Sequence, residues 1–311
     1  MTLTELRYIV AVARERHFGR AAEACHVSQP TLSVAVKKLE EELGVMLFER
    51  SKTEVSITPV GEEVVRQAQR ILEEVDTLVD LARQGRDQLA SPLRLGAIHT
   101  IGPYLLPHLV PEIHRRAPRL PLIIEESYTA RLAEGLKQGE LDAIIVALPF
   151  EQPGVVTLPL YSEPFVAVLP ADHPLARRQK LNIDELADEN LLLLGAGHCF
   201  REQVLKACPA CHSTVSSGNR IQHSVEGSSL ETIRHMVVTG MGVTILPCSA
   251  AGADRYAQHL LAIRRFHDPV PERQVALAWR SSFPRPRAIE VIRQAIMETH
   301  VPCLERVKGK A

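Results

Sequence analysis

The chain has 311 residues, 45% of them hydrophobic and 23% charged, which suits a soluble globular protein of two or three domains. A net charge of −1 gives no overall attraction to a polyanion, so any binding of nucleic acid has to be argued from local sequence. Six scattered cysteines do not form the framework of a secreted disulfide scaffold, and the N-terminus lacks a secretory signal, so we expect a cytoplasmic protein without a membrane span.

The first 58 residues predict a helix-turn-helix. Apolar residues keep helical spacing up to Cys25, and a further helix follows, with Ser28 as its N-cap and Gly44 as its C-cap. The apolar stripe of this helix, which we expect to be buried, consists of Leu32, Val36, Leu39 and Leu43. Two helices joined by a tight turn, with small polar side chains at the start of the second, are typical of a protein that reads the DNA major groove.

A small helical bundle that binds no nucleic acid is the alternative for this segment. Residues 1–58 hold eight Lys and Arg against eight Asp and Glu, so the segment is neutral. That balance argues against strong electrostatic attraction to DNA by a single copy. Pairing of two copies would double the number of phosphate contacts.

From residue 21 to residue 61 the sequence resembles the winged helix-turn-helix of LysR-type transcriptional regulators. The resemblance is carried by "SQPTLS", "KKLEEELGVMLFER" and "TPVG". It implies that the DNA-contacting residues are Gln29, Pro30, Thr31, Ser33, Lys37 and, in the wing near the minor groove, Arg50. It also implies RNA polymerase as a partner.

Residues 59–88 predict a linker helix that pairs two subunits. Its apolar seam alternates steps of four and three, as in a coiled coil, and consists of Val64, Ala68, Ile71, Val75, Leu78 and Ala82. The alternative is a helix docked on its own domain. We favour the coiled coil because the rest of the helix surface is densely charged. Two-fold pairing of two readers implies double-stranded DNA with inverted half-sites.

After Pro92 the sequence alternates strands with helices, which predicts an α/β domain with parallel sheets and a ligand site at the carboxyl ends of the strands. In LysR-type regulators this half resembles a periplasmic binding protein of two subdomains. We therefore expect a regulatory domain over residues 89–311. Subdomain I would cover about 89–162 and 268–311, and subdomain II about 163–267.

The stretch "GHCFREQVLKACPACH" at 197–212 contains three of the six cysteines. Cys208 and Cys211 have the C-x₂-C spacing of a zinc ligand pair, but no second pair accompanies them, so we expect no metal. The alternative of inert buried thiols explains Cys248 and Cys303.

Cys199 has a different setting from these four cysteines. It begins a predicted helix, with His198 before it and Arg201 after it. A helix N-terminus and nearby cationic or donor groups favour a nucleophilic thiolate. An accessible thiolate is open to oxidation by peroxide to a sulfenic acid, which a second thiol can resolve as a disulfide.

The stretches "GHCFREQ", "SSLETIRHMV" and "GPYLLPHLVP" resemble the peroxide-sensing members of the LysR family. This resemblance implies that Cys199 is the peroxidatic thiol and Cys208 the resolving thiol of a reversible disulfide. It also implies a peroxide pocket made by Thr100, Thr129, His198 and Arg201. Without the resemblance, capping of a helix is the simpler role for both threonines. Cys211 departs from the family pattern and adds a rival resolving thiol.

The spacing of the implied disulfide predicts a conformational change. If residues 200–207 are helical, nine steps of about 1.5 Å separate Cys199 from Cys208 by roughly 13 Å. Disulfides need Cα atoms within about 7 Å of each other. The bond therefore requires this helix to unwind, which would turn thiol chemistry into a structural signal.

The implied function is a hydrogen-peroxide-sensing activator of antioxidant genes. It would act as a homodimer or homotetramer, be reset by reductants of the glutaredoxin or thioredoxin type, and need no cofactor. One alternative is a LysR-type regulator that binds a small organic inducer in its cleft. The other is a thiol peroxidase or reductase, which we disfavour because nothing resembles the cofactor site of a turnover enzyme.

Overall fold

The computed structural model describes residues 1–50, 55–82, 88–211, 227, 229–252, 259–301, 303 and 305–306. The side chains of Arg50 and of residues 79–82 and 305–306 lie outside this description. The chain divides into two units. One comprises Met1–Asp87 with Ser282–Arg285, and the other comprises Gln88–Ser281 with Pro286–Ala311.

The N-terminal unit is a winged helix-turn-helix followed by a long helix, as predicted. Its elements are α1 (Leu3–Glu15), α2 (Phe18–Ala24), α3 (Gln29–Leu43), β1 (Phe48–Arg50), β2 (Val55–Ile57) and α4 (Pro59–Ala82). β1 and β2 pair antiparallel and form the wing. The predicted caps of α3 are confirmed, since the Ser28 side chain accepts a hydrogen bond from the Thr31 backbone N–H and Gly44 ends the helix.

The core of this unit confirms most of the apolar stripe predicted for α3. Leu32, Val36 and Leu39 are fully buried. Leu43 was expected to be buried as well, but it is 38% exposed. It is the last residue of α3, and beyond the helix the core is covered by Leu47 and the wing instead.

The first half of the predicted subunit-pairing seam of α4 also packs within its own unit, and pairing of two subunits through this seam stays a prediction. Ala68 is buried in the core of the helix-turn-helix, and Val64 and Ile71 pack against that core. A residue that is 2% exposed, as Ala68 is, has no surface left for a partner subunit. Val64, Ile71 and Val75 are half-buried and Leu78 is 65% exposed, so these positions keep surface for a partner subunit, and the side chain of Ala82 lies outside the description.

The second unit is built around a ten-stranded sheet. Along the sheet the order is β4 (Leu122–Ser127), β3 (Leu93–Ile98), β5 (Ala143–Ala147), β11 (Glu272–Arg280), β6 (Val155–Pro170), β10 (Leu261–Phe266) and β7 (Lys180–Leu181). β9 (Val243–Pro247) and β12 (Glu305–Arg306) also pair with β6, and β8 (Leu191–Leu192) pairs with β9.

The sheet is mixed, so the expectation of parallel sheets is correct only for part of it. β3 runs parallel to β4 and β5, whereas β11 lies antiparallel between β5 and β6. β6 is 16 residues long and changes partners along its length. It pairs with β11 as far as Pro164 and with β9 from Phe165 onwards.

The helices of this unit pack beside the sheet. They are α5 (Gly102–Arg116), α6 (Thr129–Lys137), α7 (Cys199–Ala207), α8 (Leu230–Val238), α9 (Cys248–Ala251) and α10 (Pro286–Glu298), with 3₁₀ turns at Pro174–Arg177 and Ile183–Asp188. Over the part of the chain that the structure describes, none of the helices has the length and apolar character that crossing a membrane requires.

Cys248 and Cys303, which we expected to be inert buried thiols, form a disulfide with Cα atoms 6.3 Å apart. The C-terminal segment, which carries Cys303, lies beside β6 because β12 pairs with that strand. Cys303 is exposed and Cys248 is half-buried. Cys25 and Cys199 are free thiols.

We predict that replacing Gly61 by alanine destabilises the N-terminal unit. In an ordinary helix this change stabilises by up to about 1 kcal/mol. Here an added Cβ would lie 2.2 Å from the Leu47 carbonyl oxygen, so the backbone would have to move. We expect a loss of about 1–3 kcal/mol in the free energy of unfolding, measured by urea denaturation. Val60→Ala, at a neighbouring exposed position, is the control and should change little; a stabilised Gly61→Ala protein would contradict the prediction.

Candidate functional site

Three segments of the second unit converge on a small pocket. β3 and β4 are parallel neighbours, with Ile98 in register with Ser127, so their carboxyl ends lie side by side. The loop before α7 closes the pocket from the other side. Its lining residues are Ile98, His99, Thr100, Ser127, Tyr128, Thr129, Gly197, His198 and Cys199.

Cys199 is the first residue of α7, as the sequence predicts. The backbone of Gly197 has φ +94°, a conformation that residues other than glycine rarely adopt. This glycine turns the chain into the helix. His198 is the N-cap residue in an extended conformation, and it is 6% exposed. Cys199 is half-buried and lies at the positive end of the helix dipole, where negative charge is favoured.

Neither threonine caps a helix, so the simpler role considered for them is wrong. The N-cap of α5 is Ile101 and that of α6 is Tyr128. The Thr100 Oγ1 accepts a hydrogen bond of 2.8 Å from Arg273 Nη1, which leaves its own proton available. The Thr129 Oγ1 is buried and has no hydrogen-bond partner among the described residues. Both hydroxyls can therefore bond to a small ligand in the pocket.

Three aromatic rings stand together at the pocket. The Tyr128 ring lies 4.7 Å from the His198 ring and 5.2 Å from the His99 ring, measured between centroids. Tyr128 lines the pocket and is 42% exposed, so it lies where the pocket meets the surface. Contacts of this geometry hold neighbouring rings in place.

The size of the pocket limits what it can hold. The space open to the centre of a water-sized molecule is about 10 Å³. One water molecule needs roughly 10–15 Å³ by this measure. The pocket therefore has room for about one water-sized molecule and is too small for an organic inducer.

A buried ion pair supports the pocket from beneath. Arg273 contacts Glu163 at 2.7 Å, and their side chains are 0% and 1% exposed. Arg273 also donates to the Thr100 carbonyl at 2.9 Å, and its guanidinium lies 5.3 Å from the centroid of the Phe200 ring. Ser249 donates to the other oxygen of Glu163 through its backbone N–H and its hydroxyl. Arg273 thus fixes Thr100 and the first turn of α7 together.

Arg201, which we expected in the pocket, is not among its lining residues. Its Nη1 donates to the Leu194 carbonyl at 2.8 Å. Successive residues of a helix are rotated by about 100°, so a residue two positions after Cys199 points to the opposite side. Arg201 therefore anchors the loop that precedes α7.

The structure pairs the cysteines differently from the implied disulfide. Cys208 is bonded to Cys211, with Cα atoms 5.3 Å apart, and Cys199 is free. The whole of α7 lies between Cys199 and Cys208, which keeps their sulfurs apart while the helix is intact. In the described ranges, no three His, Cys, Asp or Glu side chains converge as metal ligands; His212 lies outside them.

The residues expected to contact DNA lie mostly on the surface of α3. Gln29, Pro30, Thr31 and Lys37 are exposed and Ser33 is half-buried. The Thr31 hydroxyl is 2.7 Å from the Ser28 hydroxyl. The side chain of Arg50 lies outside the described part of the chain.

Sequence reasoning missed four residues of the site. His99 and Tyr128 adjoin the two predicted threonines, but a lone aromatic side chain in a turn carries no specific signal. Glu163 and Arg273 are charged residues beside predicted apolar strands. A charged residue next to a strand that is predicted to be buried is unusual. Two such residues of opposite charge were the signal that could have identified a buried ion pair.

Family models match both units of the chain. The model described as "Bacterial regulatory helix-turn-helix protein, lysR family" matches residues 3–62. The model described as "LysR substrate binding domain" matches residues 86–300. Together they cover the helix-turn-helix and nearly all of the second unit.

Similar proteins are known in several bacteria. The "DNA-binding transcriptional dual regulator OxyR" of Escherichia coli K12 is 39% identical over 296 residues, which are 95% of each chain. A full-length OxyR variant from Pseudomonas aeruginosa has a solved structure that matches with 55% identity and a TM-score of 0.83, covering 100% of this chain and 99% of that one. A hydrogen-peroxide-bound OxyR mutant from Corynebacterium glutamicum matches with 36% identity and a TM-score of 0.64, covering 96% and 92%.

We predict that the hydroxyl of Thr129 contributes nothing to stability. Because it bonds to no described residue, Thr129→Val removes no hydrogen bond and should not lower the free energy of unfolding. The matched control is Thr244→Val, since the equally buried Thr244 hydroxyl donates to the Leu192 carbonyl at 2.8 Å. Losing that bond should cost about 1–3 kcal/mol. Equal losses for both variants in urea denaturation would show that the Thr129 hydroxyl is structural.

Proposed function

The chain belongs to the LysR family of bacterial regulatory helix-turn-helix proteins, and we propose that this DNA-binding regulator senses hydrogen peroxide through Cys199 and activates antioxidant genes. The observation that carries the proposal is a free thiol at a helix N-terminus, in a pocket with room for one very small molecule. Relatives named OxyR or hydrogen peroxide-inducible genes activator support it across nearly the whole chain.

The chemistry begins with attack of the Cys199 thiolate on one oxygen of peroxide. The S–O bond forms as the O–O bond breaks, and the leaving hydroxide takes up a proton to become water. The Thr100 hydroxyl, which accepts from Arg273, can donate its own proton toward the peroxide oxygens. The Thr129 hydroxyl supplies a second bond on the opposite strand end. His198, which is buried beside the thiol, completes the polar lining.

Resolution of the sulfenic acid by Cys208 gives the signal. The Cys208 thiolate attacks the Cys199 sulfur, a disulfide forms and water leaves. This step needs Cys208 to be released from Cys211 and α7 to unwind, since nine helical steps hold the two cysteines roughly 13 Å apart. The new pairing commits the region around α7 to a second packing, and the paired helix-turn-helix units change their spacing on DNA.

The regulatory partners follow from the family and from this chemistry. They are double-stranded DNA with inverted half-sites, RNA polymerase, a second copy of the chain in a dimer or tetramer, and cytoplasmic reductants of the glutaredoxin or thioredoxin type. The protein acts as a regulator that is oxidised once and reset, without turnover as an enzyme.

A small organic inducer is the second candidate signal, because the structure contains a larger cavity. A space of about 830 Å³ is lined by Leu148, Phe150, Gln203, Lys206 and Val270, among others. Ligand pockets are typically about 300–1,000 Å³, so an organic molecule would fit there. This cavity lies beside the carboxyl-terminal half of α7 and does not include Cys199.

We predict that Cys199→Ser abolishes the response to peroxide. The serine hydroxyl cannot be oxidised to a sulfenic acid, so one equivalent of peroxide should produce no disulfide at position 199 and no change in the DNA footprint. Both are measured on the full chain, by mass spectrometry of the peptides and by footprinting before and after oxidation. Induction that persists in this variant would favour an organic inducer.

The matched control is Cys25→Ser, at the other free thiol. Burial raises the pKa of the Cys25 thiol, an effect that the nearby Arg14 partly offsets, so at neutral pH this cysteine stays protonated and unreactive. We expect the control to respond to peroxide as the natural chain does. A loss of response in the control as well would mean that the loss in Cys199→Ser does not identify Cys199 as the sensor.

We predict that Gln29→Ala weakens binding to the operator but not to unrelated DNA. Gln29 is exposed at the N-terminal end of α3, where side chains reach base edges. Losing such a contact should cost about 1–3 kcal/mol in operator affinity, measured by fluorescence anisotropy at fixed salt. Gln67→Ala, an exposed glutamine on α4, is the control and should bind as the natural chain does. Equal weakening on both DNAs would contradict base recognition by Gln29.

A further inference from the structure

Cys211 is neither the peroxidatic nor the resolving thiol of the proposed switch, yet the structure gives it a disulfide. It is bonded to Cys208 with Cα atoms 5.3 Å apart, and the two residues are 1% and 0% exposed. The Cys211 backbone N–H donates to the Cys208 sulfur at 3.2 Å. Only three positions separate the two residues in sequence, which keeps Cys211 close to the proposed resolving sulfur.

The two disulfides available to Cys208 differ in what they require of α7. Pairing with Cys211 leaves α7 helical from Cys199 to Ala207, as the structure shows. Pairing with Cys199 requires the distance between the two Cα atoms to fall from roughly 13 Å to below about 7 Å. The helix therefore has to unwind. Exchange from the second pairing to the first lets α7 re-form, with Phe200 and Val204 buried again, so it is favoured by local folding.

We infer that Cys211 is a second resolving thiol, which displaces Cys199 from Cys208 after the Cys199–Cys208 disulfide has formed. This inference rests on the proposed function. The Cys211 thiolate attacks the Cys208 sulfur of the Cys199–Cys208 disulfide. The Cys208–Cys211 bond forms, the Cys199–Cys208 bond breaks, and the electron pair leaves on Cys199 as a thiolate that takes up a proton. No oxidant is needed beyond the one peroxide that was already reduced to water.

The exchange would give the signal a limited duration. Cys199 returns as a free thiol to the start of a re-formed α7, which is the arrangement in the structure. Cys208 meanwhile stays occupied in a buried disulfide, out of direct contact with a reductant in solution. A further peroxide then leaves Cys199 as a sulfenic acid with no resolving thiol, so the sensor is refractory until Cys208 and Cys211 are reduced.

The test follows the disulfides of the full chain over time. Fully reduced protein receives one equivalent of hydrogen peroxide, samples are quenched with acid and alkylated, and each cysteine pair is assigned by peptide mass spectrometry. In the natural chain we expect Cys199–Cys208 first and then its loss, matched by a rise of Cys208–Cys211 and of free Cys199, before any reductant is added. In Cys211→Ala we expect Cys199–Cys208 to persist throughout. The DNA footprint of the oxidised form should last correspondingly longer.

Several controls make the outcome decisive. Cys25→Ala, at a free thiol in the other unit, should show the kinetics of the natural chain. Cys211→Ser provides a second variant if the alanine protein does not fold. The inference is overturned if Cys199–Cys208 lasts as long in the natural chain as in Cys211→Ala, although the proposed function would stand. It is also overturned if Cys199→Ser acquires Cys208–Cys211 at the natural rate, since peroxide would then reach that pair directly. If Cys199–Cys208 forms in neither protein, the proposed function itself fails.

Discussion

The guanidinium of Arg273 joins three parts of the second unit in one buried contact. It pairs with Glu163 on β6, donates to Thr100 at the end of β3, and lies over the ring of Phe200 in the first turn of α7. Both charged side chains are almost completely buried, so loss of either would leave an uncompensated charge, at about 3–5 kcal/mol. The positions of the Thr100 hydroxyl and of the Cys199 turn relative to each other depend on this ion pair.

α7 has to be stable enough to hold Cys199 in its pocket and weak enough to open. A nine-residue helix is marginal by itself, so tertiary contacts hold it in place. Phe200 and Val204 are its buried side chains, and burying two such groups contributes about 3–6 kcal/mol. That is an energy which the formation of a covalent bond can offset. A longer or more deeply buried helix would keep the two sulfurs apart permanently.

Much of the fold could be predicted because local rules determine it. The caps at Ser28 and Gly44 and the start of α7 at Cys199 follow from short-range propensities, and the structure has them as expected. What covers an apolar face is not local. The periodicity of α4 identified the seam through Ala68, but not that the core of the same unit would bury it. The antiparallel insertion of β11 depends likewise on pairing between distant strands.

The site could be predicted only in part, for a similar reason. The position of Cys199 at the start of a helix can be predicted from the residues next to it. Arg273, by contrast, contacts Thr100 from a strand 173 residues away in sequence. The family resemblance implies a place for Arg201 in the pocket, but the rotation of the helix turns this side chain away from it. The pairing of Cys208 depended on which of two thiols the backbone would bring closer, and the sequence left both open.

The bond between Cys248 and Cys303 has a consequence of its own. It closes a loop over 55 residues that contains β10, β11 and α10. In the chain-entropy account, a cross-link over a loop of that length stabilises the folded state by about 4 kcal/mol. Oxidation of this pair therefore makes the regulator harder to unfold and to degrade, whatever the state of Cys199.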